Sequence, residues 1–177
     1  MAEQAATWTP TRIVAGAEMA ALRPFLMDCT WTGAVHANGM GPGSPEMDVV
    51  GRMTCRDIMD GLWIDCDCSQ DQFVGGEKLI GWQLRLIVGW DALAREYRGV
   101  LVDSNGVTGI MRGELRGATF TMTPMTEVQA AGQPAVIRLI WDAGDPQALH
   151  WRNEASINGG PWFLIEDYVC VPTTQPL

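Results

Sequence analysis

The sequence predicts an all-β protein, roughly ten short antiparallel strands in up-and-down order closed into a barrel, with one short N-terminal helix. Three observations predict it. Past Leu22 no apolar pattern of helical period reaches a useful length. The chain falls instead into short runs of period two. Between the runs stand glycine, asparagine and aspartate, the residues that tolerate the positive φ of hairpin turns.

Taken in order, Ala17, Met19, Ala20, Ala21 and Leu22 suit a short helix within 15–22, and Pro24 ends it because proline lacks the N–H that a further turn needs. Thr30 to Ala37 is the first strand, with Trp31, Gly33 and Val35 on one face and Thr32, Ala34 and His36 on the other. The glycine burst "NGMGPGSP" that follows carries no lysine and opens no helix, so it fails as a phosphate loop and reads as a rim connection, a candidate lid. The next strands are Asp48 to Ile58, Leu62 to Ser69, Trp82 to Trp90, Tyr97 to Asp103, Val107 to Leu115, Thr119 to Thr123, Ala135 to Trp141, Leu149 to Ser156 and Trp162 to Val171. Hairpin chemistry joins them at "MDGL" (59–62), "SNGV" (104–107), "LRGA" (115–118) and "NGGP" (158–161). A meander of this kind leaves two exposed edges, and closing it into a barrel removes them. The expected organisation is a flexible segment at 1–14, one barrel domain at 15–172 and a tail at 173–177.

Composition narrows the partners. Twelve basic against 21 acidic residues repel a phosphate backbone, and Arg95 and Arg98 are too sparse for a nucleic-acid stripe. No apolar run approaches the roughly 18 residues of a membrane span, and "MAEQAATWTPTRIVAG" lacks the basic start and apolar core of a secretory signal, so a cytoplasmic protein with no membrane contact is expected. A homodimer stays open as an assembly of copies. Eight tryptophans against four phenylalanines and two tyrosines point to a large apolar interior to be lined. Cys29, Cys55, Cys66, Cys68 and Cys170 read as reduced, half-buried thiols. "CDC" lacks the second pair that a zinc site needs, so no metal is assigned.

Several stretches resemble a bacterial family of lipocalin-like, calycin-type barrels known as a domain of unknown function. They are "LRPFLMDCTWTG", "GRMTCRDIMDGLWIDCD", "VGWDALAREYRGVLVDSNGVTGIMRGEL" and "GGPWFLIEDYVCVP", and the likeness runs over roughly 20–172. It implies a barrel with an internal cavity and brings no catalytic residues with it. A second similarity is to the haem-binding nitrobindin barrels, which also open with a tryptophan and glycine strand after a short helix. There a histidine holds the iron, which brings His36 and His150 forward. Neither stands in a stretch that matches that family's ligand region, so haem ranks behind a small organic ligand and no cofactor is assigned.

The chemical candidates come from strand parity. Glu166 and Tyr168 alternate with Trp162, Leu164 and Cys170, and a carboxyl on a cavity face would have its pKa raised by desolvation and serve as acid or base, with the tyrosine hydroxyl donating to a developing oxyanion. The alternative pairs Glu166 structurally with Arg138 or Arg152. His150, Arg152 and Glu154 share one face, read first as solvated; turned inward, His150 is the general base and Glu154 its orienter. Asp103 either faces the cavity with Tyr97 or caps the "SNG" turn. Trp31 is expected to plug the closed end, and Trp82, Trp90, Trp141 and Trp151 to line or fill the barrel. The expected site is therefore Glu166, Tyr168 and His150 for chemistry, with Trp82, Tyr97, Asp103, Arg138, Trp141 and Trp151 around a small hydrophobic or aromatic ligand. The expected function is cofactor-independent acid–base chemistry on that ligand, of cyclase, isomerase, lyase or hydrolase type. A non-catalytic carrier is the alternative.

Overall fold

A computed structural model describes residues 12–130 and 132–173. The segments expected at 1–14 and 173–177 lie outside these residues except for Arg12 to Val14 and Thr173. The helix α1 (Ala17–Ala21) is followed by β1 (Cys29–Val35), β2 (Met47–Ile58), β3 (Trp63–Val74), β4 (Glu77–Asp91), β5 (Glu96–Asp103), β6 (Thr108–Arg116) and β7 (Thr119–Pro124). Then come β8 (Val128–Ala130), β9 (Gln133–Asp145), β10 (Ala148–Ile157) and β11 (Phe163–Pro172). Consecutive strands pair antiparallel from β1 to β7, β7 pairs with β9, β9 with β10, β10 with β11, and β11 returns to β1. Ten strands thus close into an antiparallel barrel, and β8 adds only a short ribbon to the start of β9.

The turns fall where the punctuation placed them: Asp60, Gly61, Gly106, Gly117, Asn158 and Gly159 all have positive φ. One hairpin is longer than its sequence suggests. β3 and β4 run past Ser69 and begin before Trp82, meeting at Gly75 and Gly76, both at positive φ. The tip of that hairpin buries neither face, so no alternation of polar and apolar residues announces it.

Inward-facing residues pack one half of the barrel solid. Met19, Leu22, Phe25 and Leu26 cover the end beside α1, where the Tyr97 hydroxyl donates to the Glu18 carbonyl at 3.0 Å. Ring contacts run from there in sequence, Phe25 to Phe120 at 5.8 Å, Phe120 stacked on Trp141 at 5.8 Å, Trp141 stacked on Trp151 at 5.5 Å, and Trp151 edge-on to Trp31 at 5.4 Å. Trp31, expected at the closed end, therefore stands at the inner limit of this filled half. Its indole lies over the backbone of Gly51, its register partner, where an added Cβ would fall 2.2 Å from the ring.

The expectation of five reduced thiols is corrected. Cys55 and Cys66 face each other across β2 and β3 with Cα atoms 4.1 Å apart and are joined by a disulfide, while Cys29, Cys68 and Cys170 are free and buried. No helix among the described residues is long and apolar enough to cross a membrane.

Candidate functional site

Away from α1 the barrel is hollow. A pocket of about 230 Å³ opens there, walled by apolar residues such as Met40, Leu101, Met111, Leu139 and Ile165. Polar groups break this wall, among them Gln70 and Gln72 of β3, Asp103 of β5, Asn153 of β10 and Glu166 of β11.

A break in strand regularity sets the position of Glu166. Between β10 and β11 the register runs Asn153 opposite Glu166, then Glu154 opposite Leu164, leaving Ile165 unpaired in a bulge. Two consecutive residues, Ile165 and Glu166, therefore both border the pocket. Trp162 and Leu164, which strict alternation puts on the Glu166 face, are turned out by the same bulge. Trp162 lies under the Arg138 guanidinium at 4.0 Å on the outside of the barrel.

The hydrogen bonds around Glu166 run in one direction. The Trp31 indole donates to Gln70 Oε1 at 3.1 Å, and Gln70 Nε2 donates to the Tyr168 hydroxyl at 3.2 Å. That hydroxyl in turn donates to Glu166 Oε2. From the other side, the Trp151 indole donates to Asn153 Oδ1 at 2.9 Å, and Asn153 Nδ2 donates to Glu166 Oε1. An indole N–H only donates, so each tryptophan fixes the orientation of the amide it touches, and both chains end on the Glu166 carboxylate as acceptor. Burial pushes the Glu166 carboxyl above its ordinary range, while the donors from Tyr168 and Asn153 pull it back. Burial, and then the neighbouring Glu166, raise the Tyr168 phenol.

The expected site residues separate as follows. Glu166, Trp82 and Asp103 border the pocket. Tyr168 stands behind Glu166, its hydroxyl donating to the carboxylate and accepting from Gln70, so it is not aimed at an oxyanion in the pocket. Asp103 does both things considered for it. Its Oδ1 caps the turn by accepting from the Asn105 and Val107 amides, each at 2.9 Å, and its Oδ2 accepts from the Trp82 indole at 3.1 Å. Trp141 and Trp151 are each only 1% exposed and belong to the filled half rather than the pocket wall.

Tyr97 holds α1 at the far end of the barrel. Arg138 pairs with Glu154, not with Glu166, on the outer surface, and Arg152 joins the same carboxylate. His150 is not brought to Glu166. Because Leu149, Trp151 and Asn153 take the inward positions of β10, His150 points outward, half-exposed, 3.8 Å from Asp145. His36 likewise faces out, 2.6 Å from Asp167. Among the described residues no three histidine, cysteine or carboxylate side chains stand together as a metal site.

Sequence reasoning passed over Gln70, Gln72 and Asn153. Their signal was parity: Gln70 and Gln72 continue the inward row of Ile64, Cys66 and Cys68, and Asn153 sits two residues past Trp151.

A family model described as "Protein of unknown function (DUF1579)" matches residues 26–165. Among solved structures the chain is similar to the crystal structure of Rv2717c from M. tuberculosis, at 14% identity and a TM-score of 0.61, over 90% of this chain and 99% of that one. At that identity the likeness is one of fold. No curated protein matches the chain.

Proposed function

Because the chain belongs to the DUF1579 family of proteins of unknown function, we propose from its pocket that it binds a small, mainly apolar molecule with the polar end against Glu166, and that Glu166 exchanges a proton with it. One observation carries this reading. A carboxyl stands in an apolar pocket that, among the described residues, no lysine, arginine or histidine borders, and two convergent donor chains hold it in place. A carboxyl so desolvated takes up and releases protons closer to neutrality than an exposed one. The chemistry that needs nothing further is a proton shift: Glu166 takes a proton at one ligand atom and returns it at another, with no net change in oxidation state. The pocket is smaller than the ~300–1,000 Å³ usual for drug-sized ligands, which suits a small molecule.

The test begins with the compound released from purified protein by denaturation and identified by mass spectrometry. Incubated with fresh protein in D2O, it is expected to gain deuterium at a carbon or to return as an isomer. Glu166→Gln should slow this by roughly 10²- to 10⁴-fold, the usual worth of a general acid or base. A second reading, a non-catalytic carrier of the same ligand, is favoured by the engagement of the Tyr168 hydroxyl, which donates to Glu166 and accepts from Gln70 and so is not offered to a ligand as a proton donor. Recovery of the compound unlabelled and unchanged would decide for the carrier.

A further inference from the structure

The pocket's polar groups differ from those of a general apolar site in their sign. Glu166 and Asp103 both border it, and among the described residues no cationic side chain does. Each carboxylate accepts hydrogen bonds from neutral donors, from Tyr168 and Asn153 in one case and from Trp82 and two backbone amides in the other, so neither has a positive partner. A second observation is independent of the acids. Gln72 faces inward from β3, borders the pocket and is 3% exposed, yet its carbonyl oxygen has no donor among the described residues. A buried acceptor without a donor is costly, and a ligand N–H would satisfy it.

Resting on the reading of this pocket as a binding site, we infer that its ligand is a small organic amine, bound as the ammonium ion. The nitrogen sits against Glu166, with Gln72 as a further acceptor, and the apolar body lies along Trp82, Leu139 and Met111. An ammonium carries three donors and no acceptor, which matches a wall that offers acceptors at its polar end. It also supplies the charge that Glu166 lacks. A carboxylate or phosphate ligand would instead bring a second negative charge into a low-dielectric space that already holds one, without a counter-ion.

The experiment is calorimetric titration of the purified full chain at pH 7 with three probes of similar size: 2-phenylethylamine, 2-phenylethanol and 3-phenylpropanoate. The amine is expected to bind at least about tenfold more tightly than the alcohol, and the carboxylate not measurably. In Glu166→Gln the amine should lose its advantage, the amine and the alcohol then binding within about twofold of each other. Gln72→Leu, tested alongside, should cost the amine several-fold and spare the alcohol, and it carries the test alone if the first variant does not fold. Equal or tighter binding of the alcohol or carboxylate, or an amine preference that survives both substitutions, would overturn the amine assignment and leave the pocket reading standing. If none of the three probes binds, the pocket reading falls and the amine assignment falls with it.

Discussion

Two carboxyl groups on the barrel respond to pH in opposite directions. Asp65, on the outward face of β3, is held down to about 2 by hydrogen bonds from Arg85 and Arg56, burial opposing them. Its folded pKa lies below its ordinary 3.8, so its contribution is present above that value and is lost as pH falls toward 2. Glu166 is displaced upward, so its contribution is complete below its ordinary 4.5 and drains away as pH rises through the raised folded value. Urea midpoints measured from pH 2 to 8 should show this in two single substitutions. Asp65→Asn should lose stability at neutral pH, by about 1 kcal/mol once solvent screening of the half-exposed guanidinium groups is allowed for, and should flatten the acid limb. Glu166→Gln should gain on the native protein steadily as pH rises above 4.5. A native curve parallel to that of Glu166→Gln would mean that the carboxyl is better solvated than its surroundings indicate. The sequence allowed Glu166 to be named but not its partners, because an arginine two strands away reads as a natural mate for a glutamate. Only the register of β9 against β10, which sends Arg138 and Glu154 outward together, shows that the mate across the strands is Asn153.

At the scale of strands, β1 and β2 depend on one close approach. Trp31 lies flat on Gly51, so Gly51→Ala forces the indole to shift and disturbs its bond to Gln70, where the donor chain begins. The expected loss is about 1–3 kcal/mol, seen as a melting temperature lower by several degrees. Gly109→Ala in β6 is the control: its nearest neighbour would be Met111 Sδ at 3.5 Å, an ordinary contact, so its stability should change by less than about 0.5 kcal/mol. If both variants melt together, the Trp31 contact is not tight. The strand count, closure and hairpin turns were legible in the sequence because alternation and turn residues are local signals. The failures of strand pattern lie at the pocket. Gln70 and Gln72 put polar residues on an inward face and so erase the alternation that would have extended β3. The Ile165 bulge, invisible to a period-two count, assigned Trp162 and Leu164 to the wrong side. These departures fall at the end of the barrel where the proposed function places the ligand, as expected where a local rule yields to something other than packing.

The whole molecule is a barrel with one filled half and one open half, and this asymmetry should appear in its dynamics. On the α1 side, stacked rings and fully buried aliphatic side chains tie strands from every part of the sheet together, so the backbone there can open only by breaking most of the core. At the mouth the inward residues face a pocket, the 36–46 connection holds itself with turn bonds such as Asn38 to Ser44 at 2.9 Å, and the β3–β4 tip buries neither face. Amide hydrogen exchange under native conditions is therefore expected to split. Trp31, Phe120 and Trp151 should exchange only through global unfolding, with rates that fall in step with added stability. Residues 36–46 and 75–80 should exchange orders of magnitude faster, by local openings that denaturant scarcely affects. A single protection level around the ring would contradict this, and would mean that hydrogen-bonded closure of the ten strands, rather than the packed half, sets the cooperative unit. Under the proposed binding reading, a mouth that opens while the aromatic half stays closed would admit a small molecule past Met40 and Trp82 and leave intact the donor chains from Trp31 and Trp151 that position Glu166.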